Sequence, residues 1–319
     1  MSDIKLTKLT VTHAPHFHGG MTVSKVMTDV VIALAPASIM AVRFFGYRAA
    51  LVMAVSIASA VLAEYIWQRY VIKAPSGISD MSAVVTGLLL ALTLPPTMPL
   101  WQAAVGAAFA IIFAKQVFGG IGHNPFNPAL AARAFLQIAW PSEMTSWIAP
   151  AGAADAVTAA TPLAAARYQI TEAVPALRDL FFGNVAGSLA ETSAAALLAG
   201  AAYLVFRRQI KMIIPLVYIA VVAIFSAAYS ANAIYQILAG GLILGAFFMA
   251  TDPVTAPTTK KGMIIFGAGC GILTSLIRFS GGFPEGVCFS ILIMNMTVPL
   301  IDRYTIPKPF GYSFKGKSK

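Results

Sequence analysis

The sequence predicts an all-α membrane protein with about ten transmembrane helices, arranged as two inverted repeats of five helices. The chain of 319 residues is 58% hydrophobic and only 11% charged, with a mean hydropathy of +0.78. A soluble domain of this length needs more charge than this on its surface. Long apolar segments also recur along the chain. Finally, one segment in each half shares a pattern of glycine, threonine and proline.

Ten apolar segments can be counted along the chain. They lie at about residues 30–45, 49–71, 82–94, 100–118, 127–140, 191–206, 211–229, 233–250, 263–279 and 286–302. Segments 82–94 and 127–140 are shorter than the roughly 20 residues that a straight span needs, and both adjoin Pro or Gly clusters. We therefore expect broken or half-penetrating helices there, whose backbone groups are satisfied by other parts of the protein.

The segments divide the chain into five regions. We expect a cytoplasmic N-terminal segment at 1–28, a first membrane repeat at 29–140, a long polar loop at 141–190, a second membrane repeat at 191–303 and a basic cytoplasmic tail at 304–319. The repeat rests on residues 87–95 (GLLLALTLP), which match 245–253 (GAFFMATDP) at an offset of 158. Five spans separate the equivalent segments, so the second half would be inverted in the membrane. The alternative is a coincidence of Gly and Pro in two apolar helices.

The net charge of +10 does not indicate nucleic-acid binding, because the basic residues lie between hydrophobic segments rather than on one soluble surface. With a cytoplasmic N-terminus, 16 of the 22 Lys and Arg residues fall on the inner side. The six on the outer side are Arg43, Arg48, Arg133, Arg167, Arg178 and Arg278. This bias predicts that both termini are cytoplasmic and that loop 141–190 lies outside.

The sequence offers no catalytic residue and no metal site. His13, His16 and His18 are close together, but a proline interrupts them and no Cys or carboxylate lies nearby. Cys270 and Cys288 both fall in apolar runs, which predicts packing roles.

Four acidic residues lie in or next to the apolar segments. They are Glu64, Asp80, Asp252 and Asp302. Ionisable groups at membrane depth are costly, so such residues are either paired or lie at interfacial ends. We expect Asp80 and Asp252 to cap helices. Residues 119–128 (GGIGHNPFNP) predict a turn into a half-helix at 129–140.

The long polar loop contains the run Asp155-Ala-Val-Thr158-Ala-Ala160-Thr161, followed by a proline. On local composition alone this is a small-residue linker ending in a turn. The run also resembles the flavinylation motif of membrane flavoproteins, in which the last Thr accepts FMN as a phosphoester from a separate flavin transferase. That resemblance implies covalent FMN on Thr161, with Asp155, Thr158 and Ala160 at the other specified positions.

Several further runs, in order along nearly the whole chain, resemble the D subunits of the Rnf ion-translocating ferredoxin:NAD⁺ oxidoreductases. The chain is also similar to the longer B subunits of the sodium-pumping NADH:quinone oxidoreductases. These runs are residues 14–16 (APH), 27–36 (MTDVVIALAP), 80–91 (DMSAVVTGLLLA), 118–129 (FGGIGHNPFNPA) and 251–253 (TDP). One departure is that Ala156 and Ala159 stand where relatives more often have Gly; because Ala is nearly as small, we still expect flavinylation.

The resemblance implies a fold related to urea and ammonium channels, in the inner membrane of a bacterium. It implies FMN on Thr161 facing the periplasm and a second, non-covalent flavin, riboflavin, in the membrane part. Electrons would pass between the ferredoxin and NAD⁺ sides, coupled to export of Na⁺ or H⁺. The implied partners are the A, B, C, E and G subunits, and the last of these carries its own covalent flavin. Activity would belong to the complex rather than to this chain alone.

Two other classes of function fit parts of the same sequence. An inverted repeat is equally compatible with a solute channel or carrier, which would contain no flavin. A structural subunit that only holds redox partners together would tolerate replacement of Thr161.

Overall fold

The computed structural model describes residues 22–73, 78–150, 160–168, 175–191, 193–281 and 285–307. These residues form helices joined by turns. The helices of the first half are α1 (Val23–Phe45), α2 (Tyr47–Ile66), α3 (Ser82–Leu92), α4 (Leu100–Ile111), α5 (Pro128–Ala139) and α6 (Pro141–Met144). Those that follow are α7 (Pro162–Arg167), α8 (Leu177–Phe182), α9 (Ala194–Phe206), α10 (Ile213–Ala228), α11 (Ala233–Leu238), α12 (Leu242–Leu244), α13 (Lys260–Ser280) and α14 (Val287–Thr305).

Four stretches of helix in the described part of the chain are long and apolar enough to cross a membrane. They are Val23–Phe45, Tyr47–Ile72, Lys260–Ser280 and Val287–Thr305. Shorter apolar helices occupy Ser82–Leu92, Leu100–Gln116, Ala194–Phe206 and Ile213–Ala228. Large apolar side chains such as Ile39, Leu62, Ile224 and Met296 point outwards from these helices. Such an apolar surface is expected of a protein embedded in lipid.

Local sequence signals explain where several helices begin and end. The Asn127 side chain accepts hydrogen bonds from the backbone N–H groups of Ala129 and Leu130, and Pro128 occupies the first helical position of α5. Gly46 has a φ of 69° and separates α1 from α2. The start of α5 at Pro128 confirms the turn predicted at 119–128 and the short helix predicted after it.

Three helices continue into a turn of π-helix, at Trp67–Ile72, Ile112–Gln116 and Gly245–Met249. Helix α3 stops after 11 residues, as expected of a half-helix. The backbone carbonyls at and just after its C-terminal end are buried, and they are satisfied by the protein itself. The backbone N–H of Ala190 donates to Leu92 O at 2.8 Å, that of Leu189 to Leu94 O at 3.1 Å, and the Arg133 guanidinium to Thr93 O at 2.6 Å. This is the condition for ending a helix at membrane depth.

The helices pack in a connected set of pairs. Helix α1 lies against α9, α2 against α3 and α4, α10 against α13, α13 against α14, and α5 against α14. The contact between α1 and α9 is so close that a β-carbon at Gly200 would lie 1.9 Å from the carbonyl oxygen of Ala33. Only glycine fits at that position.

Some charged residues have the positions expected from the sequence, and others do not. Asp80 does cap α3, because its Oδ1 accepts from the Ser82 N–H at 2.8 Å. Asp252 instead accepts from the Thr255 hydroxyl within a loop, and Thr259 caps the helix that follows. Arg133 and Arg278, counted above as outer-loop charges, are buried. The packing roles of Cys270 and Cys288 are confirmed, since both thiols are free and buried.

Candidate functional site

Thr161 is the N-cap residue of α7. Its backbone is extended (φ −64°, ψ 154°), and its hydroxyl oxygen accepts from the backbone N–H of Ala164 at 3.2 Å. Pro162 follows at the first helical position, where a missing N–H costs nothing. The Thr-Pro sequence therefore begins a helix rather than only a turn.

Helix α7 is held on the protein by one small apolar cluster and two polar contacts. Leu163 is buried in that cluster, whose other members are Leu180, Val185, Tyr235 and Ala239. The Tyr235 hydroxyl donates to the carbonyl of Pro162 at 2.9 Å, and the Arg167 guanidinium donates to the carbonyl of Gly281. These contacts fix the position of the residue that immediately precedes α7.

The environment of Thr161 differs from the exposed loop that the sequence suggested. Thr161 is only 4% exposed, because it caps a helix that packs on the membrane part. Ala160 beside it is exposed. Asp155 and Thr158, the other specified positions of the motif, lie outside the described residues, as do His13, His16 and His18.

The contact of Arg167 with Gly281 places α7 at the C-terminal end of α13. That helix has 21 residues and is therefore about 31 Å long. Its other end is preceded by the loop at 251–259, which lines a large cavity. Thr161 and this cavity consequently lie towards opposite ends of α13.

The cavity has a volume of about 560 Å³. Its walls come from the start of α1, from α3, from the start of α5 and from the loops at 121–124, 209–210 and 251–254. Most of the lining is apolar, and the charged side chains are those of Lys115 and Asp252. Burial raises the pKa of the Asp252 carboxyl, although the Thr255 hydroxyl opposes this effect. A cavity of this size and character is typical of a site for a small organic molecule.

A buried polar cluster forms part of the cavity wall. The Lys115 ammonium lies 2.7 Å from Glu64 Oε1 and donates to the Ser82 hydroxyl at 2.6 Å. The side-chain amide of Gln116 donates to the same Glu64 oxygen at 2.6 Å. Glu64 is 1% exposed and Lys115 is 3% exposed. Glu64 is therefore paired with Lys115 in the interior of the protein.

Two asparagines connect the halves of the protein beside this cavity. The backbone N–H of Asn127 donates to Asn295 Oδ1 at 3.3 Å, and its side-chain amide donates to Met249 O at 3.3 Å. The Asn295 amide donates in turn to Thr255 O at 3.0 Å. The unwound segment around 249–255 is thereby held against the start of α5.

The profile of the NQR2, RnfD, RnfE family matches residues 10–311, which is nearly the whole chain. The chain belongs to this family. The D subunit of the Na⁺-translocating ferredoxin:NAD⁺ oxidoreductase complex of Acetobacterium woodii is 45% identical over 305 residues, covering 95% of both chains. The D subunit of the proton-translocating ferredoxin:NAD⁺ oxidoreductase complex of Clostridium ljungdahlii is 43% identical, covering 97% of this chain and 98% of its own.

A third relative is the D subunit of the ion-translocating oxidoreductase complex of Halorhodospira halophila, which is 38% identical over 93% of this chain. Membership of the NQR2, RnfD, RnfE family confirms the resemblance drawn from the sequence runs. The sequence did not reveal the pairing of Glu64 with Lys115. The two residues are 51 positions apart on different helices, and no local pattern joins them.

Proposed function

We propose that this chain is the flavin-carrying membrane subunit of an ion-translocating ferredoxin:NAD⁺ oxidoreductase. It would carry electrons between the ferredoxin and NAD⁺ sides through covalent FMN and couple their passage to export of Na⁺ or H⁺. Family membership, and relatives named as D subunits over nearly the full length, support this proposal. The expected partners are the A, B, C, E and G subunits, a flavin transferase and the lipid bilayer.

Thr161 is the residue proposed to carry FMN, as its phosphoester. The observation that carries this assignment is the hydrogen bonding of the Thr161 hydroxyl. The oxygen accepts a hydrogen bond from Ala164, but among the described residues the hydroxyl donates to none. Esterification replaces only the hydroxyl hydrogen, so the oxygen keeps its capping role and no donor bond is lost. The chemistry of this residue therefore fits the group.

The burial of Thr161 limits when the FMN can be attached. A hydroxyl that is 4% exposed is closed to a second enzyme while α7 is docked. The transferase would therefore act before α7 packs on the membrane part, or on a conformation in which α7 is released. Since α7 is held by one small cluster, release of the segment requires few contacts to break.

When bound, FMN supplies the electron-transfer chemistry. The protein's contribution is to fix the attachment point. Tyr235 and Arg167 hold α7 from opposite ends, and Leu163 anchors it between them. The flavin's tether would thus start from a fixed place at one end of α13.

The cavity of about 560 Å³ is the site proposed for the second flavin. The Lys115 charge in its wall is already neutralised by Glu64, and the other charged residue is an acid, Asp252. No excess positive charge is left among the lining residues to bind a phosphate. A flavin without phosphate, riboflavin, fits this charge pattern better than FMN.

We further propose two inverted repeats, 29–140 and 191–303, and both termini in the cytoplasm. Helix pairs recur in equivalent positions: α2 with α4 and α10 with α13, then α4 with α5 and α13 with α14. The start of α1 and the loops at 209–210 and 251–254 share the cavity face. The basic residues Lys25, Arg207, Arg208, Lys260 and Lys261 lie at or next to these elements, as the positive-inside rule requires of a cytoplasmic face. Loop 141–190 would then face the periplasm of the inner membrane.

The deciding experiment uses Thr161→Val and, as a matched control, Thr161→Ser in the purified complex. Val keeps the shape and removes the hydroxyl, whereas Ser keeps both the acceptor and the cap. We expect flavin fluorescence of the denatured chain to vanish in Thr161→Val and to remain in Thr161→Ser. Loss of the cap costs only about 1 kcal/mol, so the complex should still assemble.

The same variants separate an electron-carrying subunit from the other two classes of function. Ferredoxin-driven NAD⁺ reduction and ion uptake into inverted vesicles should fall together to near background in Thr161→Val. Flavin fluorescence that persists in this variant would refute the assignment to Thr161. Normal electron transfer and normal ion uptake in a flavin-free variant would indicate a scaffold or a solute channel instead.

A further inference from the structure

A second polar cluster lies on the Thr161 side of the helix breaks. Arg133 of α5 forms an ion pair with Glu285, just before α14, and donates to the carbonyl oxygen of Thr93 at 2.6 Å. Glu191, just before α9, lies on the same small cavity as these residues. The cavity volume is about 20 Å³. One water molecule needs roughly 10–15 Å³ by this kind of measure, so the cavity has room for one.

Glu191 is a buried acid that forms no ion pair with any residue that the structure describes. Within the described part of the chain, no Lys or Arg nitrogen lies within 4.0 Å of its carboxylate. The backbone N–H of Ser188 donates to it at a long 3.5 Å, and the Ser188 hydroxyl also faces it. The side chain is nevertheless only 7% exposed. The nearby guanidinium of Arg133 is already committed to Glu285 and to Thr93.

The other charged group near Glu191, Arg278, does not neutralise the Glu191 carboxylate by a direct ion pair. Arg278 of α13 donates to Gln236 O at 2.6 Å and to Ala239 O at 3.4 Å, so it binds the end of α11. Gly240 and Gly241 lie between the two side chains. A β-carbon at Gly240 would be 3.4 Å from an Arg278 nitrogen, and one at Gly241 would be 3.2 Å from a Glu191 oxygen.

The thiol of Cys288 donates to Leu130 O and is neutral. Glu285 is therefore the negative group, and Arg133 and Arg278 the positive groups, that act on Glu191. Burial removes the carboxylate of Glu191 from water, and the neighbouring Glu285 carboxylate opposes a second negative charge beside it. Both effects favour the neutral acid.

The ligand that fits this site is a proton rather than a metal cation. A metal cation in this cavity would lie beside the Arg133 guanidinium, which lines the same cavity and repels cations. A proton needs only one carboxylate oxygen. Exchange with solvent also has a route, because Glu285 lies on the same cavity and is 17% exposed.

We propose that Glu191 is a proton-binding site that exchanges its proton with solvent through the cavity water beside Glu285. Binding forms one O–H bond on the Glu191 carboxylate, and release returns H⁺ to the cavity water and then to solvent. No electron moves in this step. The four-residue cluster of Arg133, Arg278, Glu191 and Glu285 changes from net zero to one positive charge on protonation. This change occurs close to α7, since Leu163 and Arg278 both lie against Gly240, the neighbour of Gly241.

The test is infrared spectroscopy of the purified, oxidised complex, which needs no reductant and does not depend on a flavin. The variants are Glu191→Gln, Glu285→Gln and the control Glu143→Gln. Glu143 lies in α6, where the Ser142 hydroxyl lowers its pKa and keeps it ionised. Each spectrum is subtracted from the wild-type spectrum across a pH series, in H₂O and D₂O.

We expect wild type minus Glu191→Gln to show one protonated carboxyl C=O band near neutral pH, which disappears as the pH rises. Glu143→Gln should leave that band unchanged. Glu285→Gln removes the neighbouring negative charge and frees Arg133, so the band should disappear at lower pH. A difference spectrum without the band near neutral pH would overturn the proposal. If Glu191→Gln does not assemble, Glu285→Gln decides: an unshifted titration of the carboxyl band overturns the proposal, and a shift to lower pH supports it.

Discussion

The ion pair of Glu64 and Lys115 gives a quantitative prediction about the cavity wall. Glu64→Gln removes the negative charge while keeping the shape and an oxygen for Gln116. Lys115→Met removes the positive charge while keeping a flexible apolar chain. Each single variant leaves one charge buried without its partner, whereas the double variant leaves none.

The magnitude follows from the geometry. At 2.7 Å the attraction between the two charges is about 6 kcal/mol with an effective dielectric constant of about 20. Burial at 1% and 3% exposure costs much of this energy, because both ions have lost their water. Removing one partner of such a pair destabilises a protein by about 3–5 kcal/mol, while replacing both is close to neutral. We therefore expect the double variant to be more stable than either single variant.

The assay is SDS-induced unfolding of the purified chain in micelles, followed by the loss of helicity in circular dichroism. The control is the exposed pair Thr258 and Asp302, where Asp302→Asn should change the free energy of unfolding by less than about 1 kcal/mol. Single variants within about 1 kcal/mol of wild type, or a double variant whose loss equals the sum of the two, would refute this account of the pair.

Two further predictions concern the cavity and the topology. Val26→Trp places a large side chain in the cavity and should lower the amount of non-covalent flavin that acid releases from the protein. The control Ile32→Trp lies on the exposed side of the same helix and should leave that amount unchanged. Equal flavin content in the two variants would refute the cavity as the riboflavin site. Reporter fusions after Ala153 and after Lys319 should report opposite compartments, and matching signals from the two fusions would refute both the inverted repeat and the proposed orientation.

Much of the fold could be predicted because it depends on local composition. Each of the ten predicted apolar segments contains helix, and the short segments at 82–94 and 127–140 contain the short helices α3 and α5. The cap at Asp80 and the turn before α5 were readable because a capping side chain and its N–H partner are two or three residues apart. A sequence motif singled out Thr161 as the candidate attachment residue for FMN. Its position as the residue before α7 agrees with the proline that follows it, since proline is favoured at the first helical position.

The sequence by itself thus determined the helical segments, their apolar character and the family, since these depend on residues that are neighbours along the chain. Only the tertiary structure decided which charges are neutralised. In the sequence, Lys115 and Arg133 could only be counted as charges on the inner and the outer side, yet each is buried against an acid from another helix or loop, 51 and 152 residues away. The sequence also could not show that Thr161 is buried, or that Glu191 forms no ion pair among the described residues. Burial and Coulomb energy depend on distances in space, and packing brings together groups that are 51 and 152 residues apart in the sequence.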